Sequence, residues 1–102
     1  MGSPSLRQLE KHIRLCAESS SNIVITIHAR QRMRQRRITD PMLLEALRLG
    51  CLSQVPEPDI KHPGLKCRMQ RFVAGMDVGV VVYVEHPEPE LVVITVIDVK
   101  KD

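Results

Sequence analysis

The sequence predicts an α+β domain in which N-terminal helices pack on a C-terminal antiparallel β-sheet. Helical spacing of apolar residues dominates the first half of the chain, and β-branched runs dominate the second half. The last three runs are separated by short turns, and short connections join antiparallel neighbours. A chain of 102 residues has the length of a single domain, 1–102, with one core. Because only 2% of the residues are aromatic, that core must be built from Val, Ile, Leu and Met.

Apolar residues at helical spacing predict the first helix over 5–18. A run of small polar residues then ends it, and the β-branched run at 23–27 predicts a short strand. Two more helices are expected, over 28–37 and 41–49. The last of them has clear boundary signals. Asp40 can cap its free N–H groups ahead of Pro41, and Gly50 should end it.

The remaining chain is predicted to be a loop followed by the sheet. Residues 51–66 contain several prolines and read as a long loop with a short strand at 52–55. Three longer strands follow, at 69–74, 78–84 and 91–99. The strand at 78–84 is almost wholly apolar, so we expect the helices to help cover both faces of the sheet.

The charge is unevenly distributed along the chain. Residues 1–71 carry 13 of the 15 Lys and Arg against six acids, whereas residues 72–102 carry two against six. A basic half indicates a polyanion as partner. No run approaches the roughly 20 apolar residues needed to cross a bilayer, so no membrane role is expected. Three cysteines without close pairing are typical of reduced thiols, which predicts a cytoplasmic protein.

The most informative segment is the predicted helix over 28–37, which holds five arginines and no acid. At about 100° per residue, Ala29 and Met33 share the side that should face the core. The remaining positions give the helix two basic edges. Its inner edge is formed by His28, Arg32 and Arg36, and its outer edge by Arg30 and Arg34.

These residue types suit phosphate chemistry. Arginine offers a planar fork of donors that matches phosphate oxygens, and histidine can move a proton near neutral pH. RNA cleavage needs a base, an acid and positive charge on the phosphorane, and the inner edge could supply part of this set. Two simpler interpretations stay open at this stage, a solvated basic helix and a phosphate-binding surface without catalysis.

The run from Thr26 to Thr39 resembles an uncharacterised bacterial family with the signature T-x-H-A-x-x-R-M-x-x-R-G-I-S. Residues 93–96, Val-Ile-Thr-Val, resemble the strand that closes that family's domain. The resemblance covers about 23–99 as a family-like core and leaves 1–22 as an additional N-terminal segment with its helix. In layout the family is similar to the BrnT and RelE toxins, small ribonucleases that cut RNA without metal. The one clear departure is Arg37, which stands where the signature has glycine.

The resemblance implies a metal-independent endoribonuclease that needs no cofactor and serves as the toxin of a toxin–antitoxin pair. Its partners would be RNA, including ribosome-bound mRNA, and an antitoxin protein. The implied catalytic residues are His28, Arg32, Arg36, Arg68 and Arg71, with one of the last two reaching the groove. For binding the flanking nucleic acid we expect Arg30, Arg34, Arg37 and Lys66. Thr95 matches the closing strand, yet alternation should turn it away from the face that carries Asp98.

Other classes of protein compete with this interpretation. A helix-turn-helix DNA binder could use the helices over 28–37 and 41–49, but the second is too apolar to read bases. A zinc site from His62, Cys51 and Cys67 lacks the paired ligands that structural zinc requires. Cys51 is instead expected in the core, and His12 is expected to face solvent. A non-catalytic nucleic-acid-binding module and a protein-interaction domain remain the alternatives.

Overall fold

The computed structural model describes residues 4–101, which form three α-helices and a six-stranded mixed sheet, so the predicted α+β class is confirmed. Residues 1–3 and 102 of the predicted domain lie outside the described residues. The helices are α1 Leu6–Ala17, α2 Ile27–Arg36 and α3 Asp40–Leu49. The strands are β1 Ile23–Ile25, β2 Cys51–Leu52, β3 Glu57–Pro58, β4 Leu65–Val73, β5 Met76–Val84 and β6 Leu91–Asp98.

The sheet has the strand order β1-β6-β5-β4-β2, with β3 also paired to β4. Strands β4, β5 and β6 are antiparallel neighbours, as predicted. The N-terminal strand β1 joins them by pairing parallel to β6, with Ile23 opposite Leu91, so the sheet is mixed rather than purely antiparallel. Parallel neighbours need a long connection, and here that connection runs through α2, α3 and the rest of the sheet.

The second half of the chain contains more strand than the sequence analysis predicted. The strand β4 begins at Leu65, four residues before the predicted start, because Leu65 and Cys67 alternate with Lys66 and Arg68 across the two faces. The short strand predicted at 52–55 is replaced by β2 and β3. The turn between β4 and β5 is the pair Ala74–Gly75, so β5 begins earlier than predicted as well.

All three helices pack on one face of the sheet, which corrects the expectation that both faces would be covered. On that face, here called the helix face, the β5 valines Val78, Val80, Val82 and Val84 are 1% exposed or less. The residues between them, such as Val81 and Tyr83, are only half-buried on the other face, here called the open face. A sheet with antiparallel central strands can leave one side towards water in this way.

Helices α1 and α3 are joined by a reciprocal pair of arginines. Arg14 of α1 donates from Nε and Nη2 to the carbonyl of Gly50, at 2.8 and 2.6 Å, at the end of α3. Arg48 of α3 donates from Nε to the carbonyl of Ala17, at 2.7 Å, at the end of α1. A cation at a helix C-terminus satisfies free carbonyls and interacts favourably with the helix dipole. These two arginines therefore hold α1 in place on the core.

The boundaries of α3 differ from the prediction by one residue. Thr39, not Asp40, is the N-cap, and its hydroxyl accepts a hydrogen bond from the N–H of Met42 at 3.4 Å. Gly50 ends the helix as predicted, although its φ of −76° is not left-handed. Glycine is needed there because a Cβ would collide with the carbonyl oxygens of Ala46 and Gln70.

The turn between β4 and β5 can be strengthened by substitution. Ala74 has a φ of 51° and Gly75 a φ of 79°, so both residues of this two-residue hairpin loop are left-handed. Asparagine tolerates this conformation better than alanine does. We expect Ala74→Asn to raise the free energy of unfolding, measured by urea denaturation, by about 0.5–1 kcal/mol. Ala74→Val should lower it, and equal effects of the two variants would contradict the turn geometry.

Candidate nucleic-acid interface

Helix α2 is fixed to the sheet at its first turn. The Thr26 hydroxyl caps the helix by accepting from the N–H of Ala29 at 3.1 Å, and it donates to the carbonyl of Val93 on β6 at 2.9 Å. Ala29 and Met33 are buried, as the helical spacing predicted. Because these two residues face the core, the basic residues of α2 are held on its sides and outer surface.

The inner edge of α2 runs along the helix beside the buried seam. His28 is exposed, whereas Arg32 and Arg36 are half-buried. At 1.5 Å per residue, successive members are about 6 Å apart along the axis, and His28 lies about 12 Å from Arg36. The inner edge can therefore follow several phosphates of a chain.

The C-terminal end of α2 forms one wall of a basic pocket. This cavity of about 400 Å³ is lined by Gln35, Arg36, Arg37, Met76, Asp98 and Lys101. Asp98 is only 8% exposed and lies on the helix face opposite Val78. Three basic residues and one carboxylate thus line the same cavity. This basic pocket brings Arg36 and Arg37, two residues predicted for the site, together with Lys101.

The outer edge of α2 faces the start of α3. Arg30 forms an ion pair with Asp40, its Nη1 lying 2.6 Å from Oδ1, and both side chains are about half-exposed. Arg34 is exposed and lines a shallow cavity with Arg37 and Thr39. Arg30 is thus partly neutralised by Asp40, while Arg34 extends the positive surface towards the basic pocket.

The strand residues predicted for the site lie elsewhere. Arg71 is on the helix face beside α3, where its Nε donates to Glu45 at 2.9 Å and its Nη1 to the carbonyl of Leu49 at 3.4 Å. Arg68 and Lys66 are on the open face, and the Nε of Arg68 donates to the Ser53 hydroxyl at 2.8 Å. The choice between Arg68 and Arg71 is thus between two sides of the sheet, because alternate strand residues face opposite ways.

Thr95 is also on the open face, where it pairs with Val81, while Asp98 is on the helix face, as alternation predicted. The structure therefore brings Arg36 and Arg37 together and keeps His28 and Arg32 on the same side of α2. It does not bring Lys66, Arg68 or Thr95 to them.

Part of the basic pocket was not predicted from the sequence. From the sequence, Asp98 was placed on the face opposite Thr95 without a role in the site, and Met76 and Lys101 were given no role. The sequence holds only weak signals for these residues. They are a single acid in β6, Asp98, and a pair of lysines close to the C-terminus. These residues meet α2 only because β5 and β6 pair in a particular register, with Val78 opposite Asp98.

The cysteines do not form a metal site. Cys51 is exposed on the open face, so its predicted core position is wrong, whereas Cys67 is buried on the helix face. Burial raises the pKa of the Cys67 thiol to about 12, so this thiol stays protonated at neutral pH. Within residues 4–101, no group of three or more His, Cys, Asp and Glu side chains is placed to hold a metal ion.

The histidines outside α2 have structural contacts. His12 is half-buried rather than solvent-facing, because its Nε2 lies 2.8 Å from the carbonyl of Glu88 and its ring packs edge-on against His86. His62 lies 3.2 Å from Asp59 through its Nδ1 and packs against the ring of Tyr83. Among the four histidines, His28 is the one on the arginine helix.

The fold and this surface define a small α+β protein with an arginine-rich helix on one face of a mixed sheet. The chain belongs to the family described as Domain of unknown function (DUF4258), which it matches over residues 25–98. The match begins within β1 and ends with β6, so α1 lies outside it. Comparison with curated proteins and with solved structures gives no match. None of the described helices is long and apolar enough to cross a membrane.

Arg37 occupies a strained position at the pocket. It ends α2 with φ 58° and ψ 39°, the left-handed conformation that usually selects glycine at this point of a helix. We expect Arg37→Gly to raise the free energy of unfolding by about 0.4–1 kcal/mol, because glycine adopts this conformation without strain. Arg37→Ala removes the same charge but keeps the strain, so urea denaturation of the two variants separates the effects. If Arg37→Ala is as stable as Arg37→Gly, the gain comes from charge and not from backbone strain.

Proposed function

We propose that this protein binds the phosphate backbone of RNA along α2 and at the basic pocket. The observation that carries the proposal is the placement of Arg32, Arg34, Arg36 and Arg37 on a helix whose apolar seam is fixed to the core. Arginine pairs two donors with two phosphate oxygens, and a row of such residues follows a chain of phosphates. Phosphate contacts of this type give affinity with little sequence preference.

The arrangement of α3 argues against a helix-turn-helix DNA binder. Leu43, Ala46 and Leu47 are fully buried, so α3 has a core face where a recognition helix would need free base-reading side chains. A protein-interaction domain for an acidic partner would use the same arginines. RNA is favoured over that alternative because the pocket at the end of α2 is concave and has the size of a small-molecule site.

The backbone proposal predicts a steep salt dependence that individual arginines control. For single-stranded RNA, log K should fall linearly with log[salt], with a slope of about −0.7 for each phosphate neutralised. We expect Arg32→Gln to weaken binding at every sequence and to make this slope shallower by about 0.7. Fluorescence anisotropy with a labelled 15-nucleotide RNA measures both quantities.

Lys11→Gln is the matched control, because it removes one exposed cation from α1, away from the arginine helix. Its slope should equal that of the unmodified protein. If Lys11→Gln and Arg32→Gln lower the affinity for RNA equally, net charge alone governs binding. Undetectable binding at low salt would make the proposal wrong.

A metal-independent endoribonuclease of the BrnT and RelE layout, acting as a toxin, is the second candidate function. The observation that favours it is His28, an exposed imidazole at the start of α2, one helical turn from Arg32. In this role His28 would take the proton of the 2′-hydroxyl as that oxygen bonds to the phosphorus, and Arg32 would hold the scissile phosphate. The bond from phosphorus to the 5′-oxygen would break, and the 5′-oxygen would leave with a proton from water or from the protonated His28. Arg71 already pairs with Glu45, and Arg68 is on the open face, so α2 would have to supply the positive charge.

Cleavage of a labelled single-stranded RNA in EDTA, alone and with ribosomes, tests the second candidate. We expect His28→Ala to lower the cleavage rate by at least about 100-fold, the usual contribution of a general base, while RNA binding is largely kept. His62→Ala removes an exposed histidine far from α2 in the sequence and should cut normally. If both variants cut at the same rate, His28 is not the base, and if the unmodified protein never cuts, only the binding function remains.

A further inference from the structure

We propose that the basic pocket binds a guanine nucleotide, with the Asp98 carboxylate recognising the base. The inference rests on the proposed function, because it assigns one nucleotide of the bound RNA to a particular place. It goes further by assigning base recognition to a residue outside the arginine helix. The inference rests on three features of the pocket. They are the accessible hydrogen-bond acceptors of Asp98, the basic side chains that line the same cavity, and the volume of that cavity.

Asp98 is a nearly buried residue whose carboxylate opens into the pocket. The residue is 8% exposed, and its side-chain oxygens accept no hydrogen bond from any of residues 4–101 and are not fully enclosed by protein. A carboxylate that reaches a cavity can accept hydrogen bonds there from water or from a bound molecule. Because Asp98 lines the cavity, a bound molecule can supply these donors.

Guanine is the base that matches a carboxylate best. Its N1–H and N2 amino group are adjacent donors pointing the same way, so they can meet both oxygens of one carboxylate. Adenine and cytosine each place an acceptor next to their amino group on this edge, and uracil flanks its single N–H with two acceptors. These bases would bring a lone pair against the negative charge of Asp98 or leave one of its oxygens without a donor.

The other walls of the pocket suit the rest of a nucleotide. Arg37 and Lys101 give the pocket the positive charge that a phosphate requires. Met76 offers a polarisable thioether, which makes favourable contacts with flat rings. The volume of about 400 Å³ lies within the ordinary range for small-molecule sites. The pocket thus offers basic side chains to the phosphate, Met76 to the flat face of the base and Asp98 to its hydrogen-bonding edge.

The competing explanation is that Asp98 only offsets the charge of the surrounding cations. In that case nucleotides would bind through their phosphates without regard to the base, and removal of the carboxylate would strengthen binding of every anion. Base preference is therefore the property that separates recognition from simple charge compensation.

Isothermal titration of the full chain with GMP, AMP, IMP and inorganic phosphate makes the test. We expect GMP to bind at least tenfold more tightly than AMP, in line with the discrimination that a good bidentate contact gives. IMP keeps the N1–H but lacks the amino group, so its affinity should fall between the two. Because this series changes only the ligand, it remains decisive even if a variant fails to fold.

Asp98→Asn should reduce the preference for GMP over AMP to less than about threefold while the protein still binds phosphate, since asparagine keeps one acceptor only. Glu88→Gln, which removes an exposed acid in the turn between β5 and β6, should leave the preference unchanged. Equal affinity for GMP, AMP and phosphate in the unmodified protein would overturn the inference. So would an Asp98→Asn variant that keeps the full preference.

Failure of the guanine pocket and failure of the proposed RNA binding can be told apart. Salt-dependent RNA binding without base preference would leave the backbone proposal standing and remove the guanine pocket. Binding of GMP without binding of RNA would keep the pocket and show that the backbone proposal is wrong. If the protein binds neither GMP nor RNA, the guanine pocket and the backbone proposal are both wrong.

Discussion

The burial of the β5 valines on one face of the sheet determines where everything else must lie. Each such side chain contributes about 1.5–3 kcal/mol when it leaves water, and four of them in a row require a continuous cover. All three helices contribute to that cover. Helix α2 can join only by turning Ala29 and Met33 inward, which pushes its arginines outward. The basic surface is therefore a consequence of core packing as much as of composition.

The positive charge of the N-terminal half is divided between structure and surface. Arg14 and Arg48 cap the ends of neighbouring helices, and Arg71 pairs with Glu45. On α2, Arg34 is exposed, and Arg36 lines the basic pocket beside Met76 at the start of β5. The acids Glu85 and Glu90 lie where β5 ends and β6 begins. A polyanion would thus be attracted to one end of the molecule and repelled from the other.

Local features were predictable from the sequence, and features that depend on pairing were not. The spacing of Ala29 and Met33 within one helix fixes their burial wherever that helix packs. The parallel pairing of β1 with β6 joins residues almost 70 positions apart, and no local pattern encodes it. For the same reason sequence analysis could not decide between Arg68 and Arg71, since a shift of one residue reverses the face of a whole strand. The basic pocket contains both kinds of feature. Arg36 could be predicted from the helical pattern, whereas the positions of Asp98 and Lys101 depend on how β5 and β6 pair.

Backbone strain alone does not identify a functional residue here. Among the described residues, Arg37 and Ala74 are the non-glycine positions with positive φ, and each conformation costs about 1–2 kcal/mol. At Ala74 the side chain is a methyl group in a hairpin turn, so asparagine or glycine could replace it without loss of any charged contact. At Arg37 the same relief would remove a guanidinium from the wall of the basic pocket. Strain that coincides with a charged group at a cavity is the pattern that functional sites show. Arginine at this position thus keeps a positive charge on the wall of the basic pocket at the cost of a strained backbone.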